Sequence, residues 1–443
     1  MTRPTRIRFT AGSLARRWLP ICLSVLVIVF YFVFLSGNAI NVPFADDIFD
    51  VLKVLSALSL AEDKTTAFHI LLAQHNDHRT LATRLLYWVV YRVSGEINFR
   101  QLTFLANLAL PLLFISLYMM AKSHKMKFLV LLPAALILFQ LRSYGIALWS
   151  MAAFAYFYVF FYGFYSLQYL HKVTGMKFLV SVVLASLATF TLASGQVVWL
   201  VGLVSLLHQS LVRKQVSLLY SLSWACIGLA VLIAWRSGLE TPNTLSSMLT
   251  NLFNSPGHHA LYALTLLGSA VTESSVASAA LVGTTALITL TIFSIRSFRG
   301  PDLRLELCCW FIVLSVMAMV FGRSFTSVDY ALSSRYSFPS VLLLTTIWVL
   351  VAVRSDIKSY SSFMLIVLFT LIYCAGSYSI YAKALKPYLE KRVQMFDEGK
   401  YWAWPHPIKE TNDIVAQAIS LGIYAPPARP LPKPAILVQK DPK

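Results

Sequence analysis

The sequence predicts an all-α polytopic membrane protein with about eleven transmembrane helices, and three observations lead to this fold class. Hydrophobic residues make up 58% of the 443 residues and charged residues only 13%, and the mean hydropathy is +0.68. Apolar stretches of about twenty residues, the length needed to cross a bilayer, recur along nearly the whole chain. Basic residues cluster in alternate connections between these stretches. This composition excludes an ordinary soluble protein.

The first apolar stretch runs from Trp18 to Gly37. It is long for a signal-peptide core and lacks a small-residue cleavage site before Asn38, so we expect a retained span. By the hydropathy rule, further spans are expected near residues 101–121, 127–140, 148–170, 178–193, 197–212, 216–235, 275–295, 305–322, 337–353 and 361–380.

The distribution of basic residues sets the expected orientation. They precede the first span and then occupy alternate short connections: Arg3, Arg6, Arg8, Arg16, Arg17, Lys122, Lys125, Lys127, Lys172, Lys177, Arg213, Lys214, Arg296, Arg299, Arg304, Arg354 and Lys358. Short loops rich in Lys and Arg stay in the cytoplasm. We therefore expect a cytoplasmic amino terminus and, with an odd number of spans, a carboxyl terminus on the outer side.

This topology divides the chain into two expected parts. Residues 1–382 form a transmembrane domain that includes a large outer loop, 38–99, and residues 383–443 form a short outer tail. The tail contains a helix-start signal at Thr411 or Asn412 and a proline-rich end. Much of the net charge of +18 is explained by topology, and no aromatic and basic interleaving indicates nucleic acid.

Several function classes lack their sequence signals. The five cysteines all fall in predicted spans and support neither a disulfide framework nor a zinc site. We find no nucleotide-binding loop and no serine nucleophile elbow.

Asp46 and Asp47 stand side by side just after the first span, in the run NVPFADDIFD. Two adjacent carboxylates repel one another and gain nothing from lipid, so they usually need a cation, a basic side chain or a reacting hydroxyl nearby. We interpret them as the acidic part of an active site. A helix N-cap or a solvated turn before IFDVL is the structural alternative.

A second polar cluster follows in the run HNDHR. On a helix, His75, His78 and Arg79 would share one face, with Asp77 to one side. The cluster suits phosphate recognition or a proton relay, and a purely structural surface helix is an equal alternative. A zinc site is disfavoured because no fourth ligand is evident.

Helices are expected on both sides of this cluster. One lies within DIFDVLKVLSALSL, and the other spans Thr80 to Val93. Arg84 and Arg92 of the second helix are expected to extend toward lipid headgroups.

The outer turn FGRSFTSVDYALSSRYSFPS carries Arg323 and Arg335 at the two ends of neighbouring spans. A guanidinium group binds two phosphate oxygens at once, so we expect these arginines, with the Tyr336 hydroxyl, to hold a lipid phosphate. Simple contact with headgroups is the alternative. Arg142 is a weaker candidate for the same cavity.

Other polar residues receive structural interpretations. Glu273 is expected to cap the next span, and His258 and His259 are expected in a solvated outer loop.

The order of these short strings resembles the GT-C superfamily of polytopic glycosyltransferases, and more closely a set of its bacterial inner-membrane members. The strings are FADD (Phe44 to Asp47), HNDHR (His75 to Arg79), GR (Gly322, Arg323), ALSSRY (Ala331 to Tyr336) and LGIYAPP (Leu421 to Pro427).

This resemblance implies a GT-C-like fold and a polyprenyl-phosphate sugar as donor, with a glycan or lipid-linked acceptor on the periplasmic side. It maps the catalytic base onto Asp46 or Asp47, either of which would also bind a divalent cation if one is used, and the lipid-phosphate site onto Arg323 and Arg335. The competing hypotheses are a transporter or flippase of lipid-linked or anionic solutes, and an O-antigen polymerase or ligase. A transporter should show charged or broken spans and internal repeat symmetry, which the sequence lacks.

Overall fold

The computed structural model describes residues 11–76, 78–122, 130–240, 245–323, 326–355, 360–403 and 405–438. Among these residues the fold is helical and contains no strand; pairing is limited to two isolated bridges, His75 with His78 and Ile97 with Tyr424. Asp77 and the basic residues Arg3, Arg6, Arg8, Lys125, Lys127 and Lys358 lie outside the described residues.

Twenty α-helices follow one another along the described chain. In order, they are α1 (Ala11–Asn38), α2 (Lys53–Ser59), α3 (Lys64–Leu72), α4 (Leu81–Ser94), α5 (Phe99–Asn107), α6 (Ala109–Lys122), α7 (Leu131–Leu138), α8 (Tyr144–Ala147), α9 (Ser150–Leu170), α10 (Gly175–Thr189), α11 (Val197–Leu207), α12 (Leu218–Arg236), α13 (Leu245–Asn254), α14 (Pro256–Gly268), α15 (Val276–Ser297), α16 (Arg304–Arg323), α17 (Phe338–Arg354), α18 (Tyr360–Asp397), α19 (Ile408–Ser420) and α20 (Ala435–Val438). Short π-helical segments lie at Asp47–Leu52 and His208–Val212, and 3-10 turns at Leu141–Ser143, Ala193–Gln196, Ser269–Val271, Val328–Leu332 and Ser334–Tyr336.

Eight helical segments of the described chain are long and apolar enough to cross a membrane. They are Leu19–Asn38, Phe99–Lys122, Ser150–Leu170, Ala193–Val212, Leu218–Arg236, Val276–Ser297, Arg304–Arg323 and Met364–Asp397. The prediction of an all-helical, multi-pass membrane protein is confirmed at this level. The remaining three predicted spans coincide with shorter apolar helices, Leu131–Ala147, Gly175–Thr189 and Phe338–Arg354, so the count of eleven crossings stays a prediction.

Two hydrogen bonds join connections that are distant in sequence. Arg392 donates to the Val42 carbonyl at 3.0 Å, which joins the end of α18 to the first loop. Arg213 donates to the Arg299 carbonyl at 3.0 Å. The orientation of the chain in the membrane stays a prediction.

The segment predicted as a solvated loop around His258 and His259 is instead α14, and His259 is buried. This helix packs so closely on α15 that a Cβ at Gly268 would lie 1.8 Å from the Ala279 carbonyl oxygen, and one at Gly283 would lie 2.0 Å from that of Leu264. Only glycine permits this backbone approach, which lets the two helices bury one another's apolar faces.

The tail packs against the loop that follows α1 and forms hydrogen bonds with it. Its helix is confirmed, but α19 begins at Ile408, so Thr411 lies within the helix and donates its hydroxyl to the Tyr401 carbonyl. Further along, Ile97 donates to the Ile423 carbonyl at 2.7 Å, and the Tyr424 hydroxyl donates to the Asn41 carbonyl at 2.8 Å. The proline-rich end is extended apart from the single turn of α20.

Candidate functional site

A cavity of about 510 Å³ opens at the end of the bundle where the first loop and the tail meet. Four separate segments of the chain line it: residues 42–46, 144–149, 333–335 and 388–402. Its volume lies within the range that is typical of small-molecule sites. Of the predicted site residues, Asp46 and Arg335 line it.

Asp46 reaches the cavity wall because the backbone turns sharply just before it. Ala45 adopts a left-handed conformation with φ of +51°, and its N–H donates to the Trp402 carbonyl at 3.0 Å. A left-handed alanine is a strained conformation that the surrounding structure must impose, and such residues concentrate at functional sites. This contact with the tail therefore helps to fix the position of Asp46, whose side chain is 34% exposed.

Asp47 points the other way, into the protein. It is 1% exposed, and one carboxylate oxygen accepts from the Ser150 hydroxyl at 2.7 Å and the Met151 N–H at 2.9 Å. The other accepts from the Phe44 N–H at 3.1 Å. Asp47 thus caps the start of α9 from a distant part of the chain, and it does not line the cavity.

Burial raises the pKa of Asp47 to about 6, although its hydrogen bonds and the charge of Arg392 oppose the rise. The cause is the loss of solvent.

His75 lies behind Asp46, between two carboxylates. Its Nε2 is 3.7 Å from Asp46 Oδ1 and its Nδ1 is 3.8 Å from Asp50 Oδ1. Burial by itself lowers the pKa of His75, but the interaction with Asp46 and the charge of Asp50 outweigh it, and the pKa ends above its usual range. An imidazolium here would place a positive charge beside Asp46.

Asp50 and Arg84 form a buried ion pair that sequence reasoning missed. Arg84 is 2% exposed, and its Nε and Nη2 both lie 2.8 Å from Asp50 Oδ1. The expectation that Arg84 extends to lipid headgroups is therefore wrong, because a carboxylate three residues beyond Asp47 holds its guanidinium inside the protein. The pair fixes Asp50 beside His75.

The HNDHR run is a tight turn, and the expected helix is wrong. His75 and His78 exchange two backbone hydrogen bonds of 2.9 Å, which a helix could not make. Arg79 donates to the carbonyls of Leu72, Trp235 and Ser237. These contacts leave His75 as the member of the run that reaches Asp46; His78 and Arg79 lie outside the cavity lining, and Asp77 lies outside the described residues.

Arg335 lines the cavity together with Asp46, whereas Arg323 and Tyr336 are not among its lining residues. Arg323 donates to the Tyr336 hydroxyl at 2.6 Å. The Arg335 guanidinium lies 5.0 Å from the ring of Tyr330 and 4.8 Å from that of Tyr336. Tyr336 is 2% exposed, so it supports Arg335 and offers no open hydroxyl to a ligand.

Gly145 allows the Arg335 segment to approach the cavity. A Cβ at this glycine would lie 2.4 Å from Ser334 Oγ and 3.2 Å from the Arg335 N–H nitrogen. This glycine was not singled out from the sequence, where nothing indicated a close approach.

Arg392 is the main functional candidate that sequence reasoning missed. It is 6% exposed, lines the cavity, and donates to the carbonyls of Leu148 and Val42 at 2.9 and 3.0 Å. Its guanidinium carbon lies 4.7 Å from the centre of the Phe44 ring. In the sequence Arg392 is one of many basic residues of a tail, and no local pattern marks it as buried.

Two further expectations change at this end of the bundle. Arg142 is fully buried and pairs with Glu273 at 2.8 Å, so it is not a cavity residue. The cap of α15 is Ser275, which accepts from the Ser278 N–H, and not Glu273. In the described part of the chain no group of three or more His, Cys, Asp or Glu residues could hold a metal ion.

Comparison with known proteins does not assign the chain to a family. No protein-family model matches it, and neither a curated protein nor a solved structure does. The resemblance to the GT-C superfamily therefore rests on the short strings alone.

Proposed function

We propose that this chain is a membrane glycosyltransferase that moves a hexosyl or pentosyl group from a polyprenyl-phosphate donor to an acceptor hydroxyl on the periplasmic side of a bacterial inner membrane. The observation that carries the proposal is the cavity that unites Asp46 with the guanidinium groups of Arg335 and Arg392. An exposed carboxylate beside unpaired cations is what such a transfer requires. With a cytoplasmic amino terminus and eleven crossings, the cavity faces the periplasm.

In the proposed reaction Asp46 is the general base. It accepts the proton of the acceptor hydroxyl while that oxygen forms a bond to the anomeric carbon of the sugar. The bond between the anomeric carbon and the phosphate oxygen breaks, and its electron pair leaves with the polyprenyl phosphate. Asp46 suits this role better than Asp47, because its side chain is partly exposed in the cavity, whereas all the contacts of Asp47 are structural.

Arg335 would stabilise the charge that develops on the leaving phosphate, and Arg392 adds positive charge to the same cavity. Fixed cations in a partly enclosed site act more strongly on developing charge than the same groups do in water. Because the donor already stores the transfer energy in its phosphoester bond, the reaction needs no nucleotide site. The aromatic rings of Phe44, Trp149 and Trp402 in the wall offer flat surfaces for a sugar ring.

The direct test is sugar transfer by the purified full-length chain in lipid nanodiscs. Labelled polyprenyl-phosphate sugars, hexosyl and pentosyl, are supplied with extracted envelope glycans and lipids as acceptors. We expect label in an acceptor product with the wild-type chain and none with Asp46→Asn. Asp63→Asn is a matched control, because Asp63 is an exposed carboxylate that caps α3 and lies away from the cavity. Full transfer by Asp46→Asn, or no transfer from any donor by the wild type, would contradict the proposal.

A further inference from the structure

The cavity around Asp46 carries an excess of positive charge. Among the described residues, its lining contains four cations, Arg335, Lys391, Arg392 and Lys400, and Asp46 is the single carboxylate. Lys400 is already compensated, because its Nζ lies 2.8 Å from a carboxylate oxygen of Glu398. Three cations of the lining remain.

None of these three cations forms an ion pair within the described part of the chain. Arg335 lies against tyrosine rings, and Lys391 lies 5.0 Å from the centre of the Trp402 ring. Arg392 has two backbone carbonyls and the rings of Phe44 and Tyr388 as its neighbours, and its charge acts on the Asp47 carboxylate without an ion pair between them. Rings and carbonyls attract a cation but do not neutralise it.

Elsewhere among the described residues the fold pairs its two other buried arginines, and the half-buried Arg354, with carboxylates at 2.8 Å. The pairs are Arg84 with Asp50, Arg142 with Glu273, and Arg354 with Glu306. A buried guanidinium without such a partner is costly. Arg392 is 6% exposed and lines the cavity, yet among the described residues it has no carboxylate as an ion-pair partner.

The donor of the proposed reaction does not supply enough negative charge for this lining. The phosphodiester of a polyprenyl-phosphate sugar carries one negative charge, and Asp46 has His75 beside it at 3.7 Å. Two of the three cations still have no ion-pair partner when that donor is bound, and like charges in a partly enclosed site repel one another. We propose that the cavity binds a second anionic group, a phosphate or a carboxylate, at the wall formed by Lys391 and Arg392.

This inference rests on the proposed function, because one of the two anions that it assigns to the cavity is the phosphodiester of the proposed donor. Arg335 takes the phosphodiester of the donor. Lys391 and Arg392, consecutive residues at the end of α18, take the second group beside the rings of Phe44 and Trp402. The second anion belongs either to the acceptor or to a donor that carries a diphosphate, and both sources share the same chemistry.

Binding of defined anions to the full-length chain in nanodiscs tests the inference by calorimetry. The probes are farnesyl methyl phosphate as a phosphodiester, inorganic phosphate, and farnesyl diphosphate. We expect inorganic phosphate to bind the wild-type chain while the phosphodiester is bound. Lys391→Ala should weaken the second anion about tenfold, the loss of one charged hydrogen bond, and Lys391→Arg should restore it. Arg335→Ala should weaken the phosphodiester instead.

Lys64→Ala is the control, because Lys64 is an exposed lysine of α3 that lies outside the cavity lining; we expect unchanged affinities. If Lys391→Ala weakens the binding of inorganic phosphate while the phosphodiester is bound, the second anion belongs to the acceptor. If the variant weakens only the binding of farnesyl diphosphate, the second anion belongs to the donor. Competition between inorganic phosphate and the phosphodiester, or equal effects of Lys391→Ala and Arg335→Ala on both ligands, would overturn the inference. Failure of the proposed function is separate, since it appears as absent sugar transfer by the wild type.

Discussion

Asp46 and Asp47 are adjacent in sequence, yet their carboxylates lie in opposite environments. Asp46 is 34% exposed by side chain and contacts His75, whereas Asp47 accepts hydrogen bonds from Ser150, Met151 and Phe44 inside the protein. The separation follows from the left-handed turn at Ala45. Asp46 is therefore accessible from the cavity, whereas the Asp47 carboxylate is engaged in structural hydrogen bonds.

This difference predicts unequal effects on sugar transfer. Asp46→Asn should lower the rate by at least about a hundredfold, the usual contribution of a general base. Asp47→Asn should keep transfer within about tenfold, because an amide oxygen can still accept from Ser150 and Met151. Initial rates of both variants, measured at equal amounts of folded protein, test this. A larger loss in Asp47→Asn than in Asp46→Asn would contradict the assignment of roles.

The buried state of Asp47 predicts a pH-dependent cost to stability. Its folded pKa of about 6 lies above the unfolded value of 3.8, so the folded state binds the proton more tightly. This stabilisation is complete below pH 3.8 and is lost as the pH rises through 6. The difference amounts to at most about 3 kcal/mol.

Asp47→Asn removes this titration. The free energy of unfolding of the variant, relative to that of the wild type, should therefore rise by about 1 to 2 kcal/mol as the pH increases from 5 to 8, by the same linkage. Unfolding midpoints of the two chains in one detergent, compared across that range, measure the effect. A constant difference at all pH values would show that Asp47 does not titrate as described.

His75 is expected to act on the reaction through Asp46. It lies 3.7 Å from that carboxylate and does not line the cavity. His75→Ala should therefore lower kcat by about ten- to a hundredfold, since small misplacement of a catalytic group has effects of this size, with little change in KM. His69→Ala, on α3 and exposed, serves as control. A change confined to KM would indicate direct substrate binding by His75.

The pair of Arg84 and Asp50 predicts a large effect on stability. Arg84→Ala leaves the Asp50 carboxylate buried without its partner, and the free energy of unfolding should fall by about 3 to 5 kcal/mol. Arg92→Ala on the same helix removes an exposed arginine that lies over Trp88, and its effect should stay below about 1 kcal/mol. Chemical unfolding in detergent compares the two, and equal losses would argue against the buried pair.

The contact between α14 and α15 predicts a steric effect at Gly283. Gly283→Ala places a Cβ 2.0 Å from the Leu264 carbonyl oxygen, so the helices must separate, at a cost of about 1 to 3 kcal/mol. Gly376→Ala in α18 is the control, because a Cβ there meets nothing within 4 Å. Thermal unfolding should show a lower midpoint for the first variant only.

The sequence by itself determined the helical membrane class and the positions of the long apolar helices. These properties depend on local composition, since any stretch of about twenty apolar residues favours the bilayer whatever its neighbours are. The strings around Asp46 and Arg335 were likewise visible because unusual polar residues stand out beside apolar spans. Helices such as α4 and α19 followed from periodicity, with ends shifted by a few residues.

The tertiary structure alone decided what each polar residue faces. Arg84 and Arg392 look like ordinary basic residues near a membrane surface, and only contacts with Asp50, Val42 and Leu148 reveal that they are buried. The different environments of Asp46 and Asp47 depend on contacts with α9 and with a tail that lies more than 350 residues further along the chain. Burial and charge compensation come from groups distant in sequence, so no local pattern can carry them.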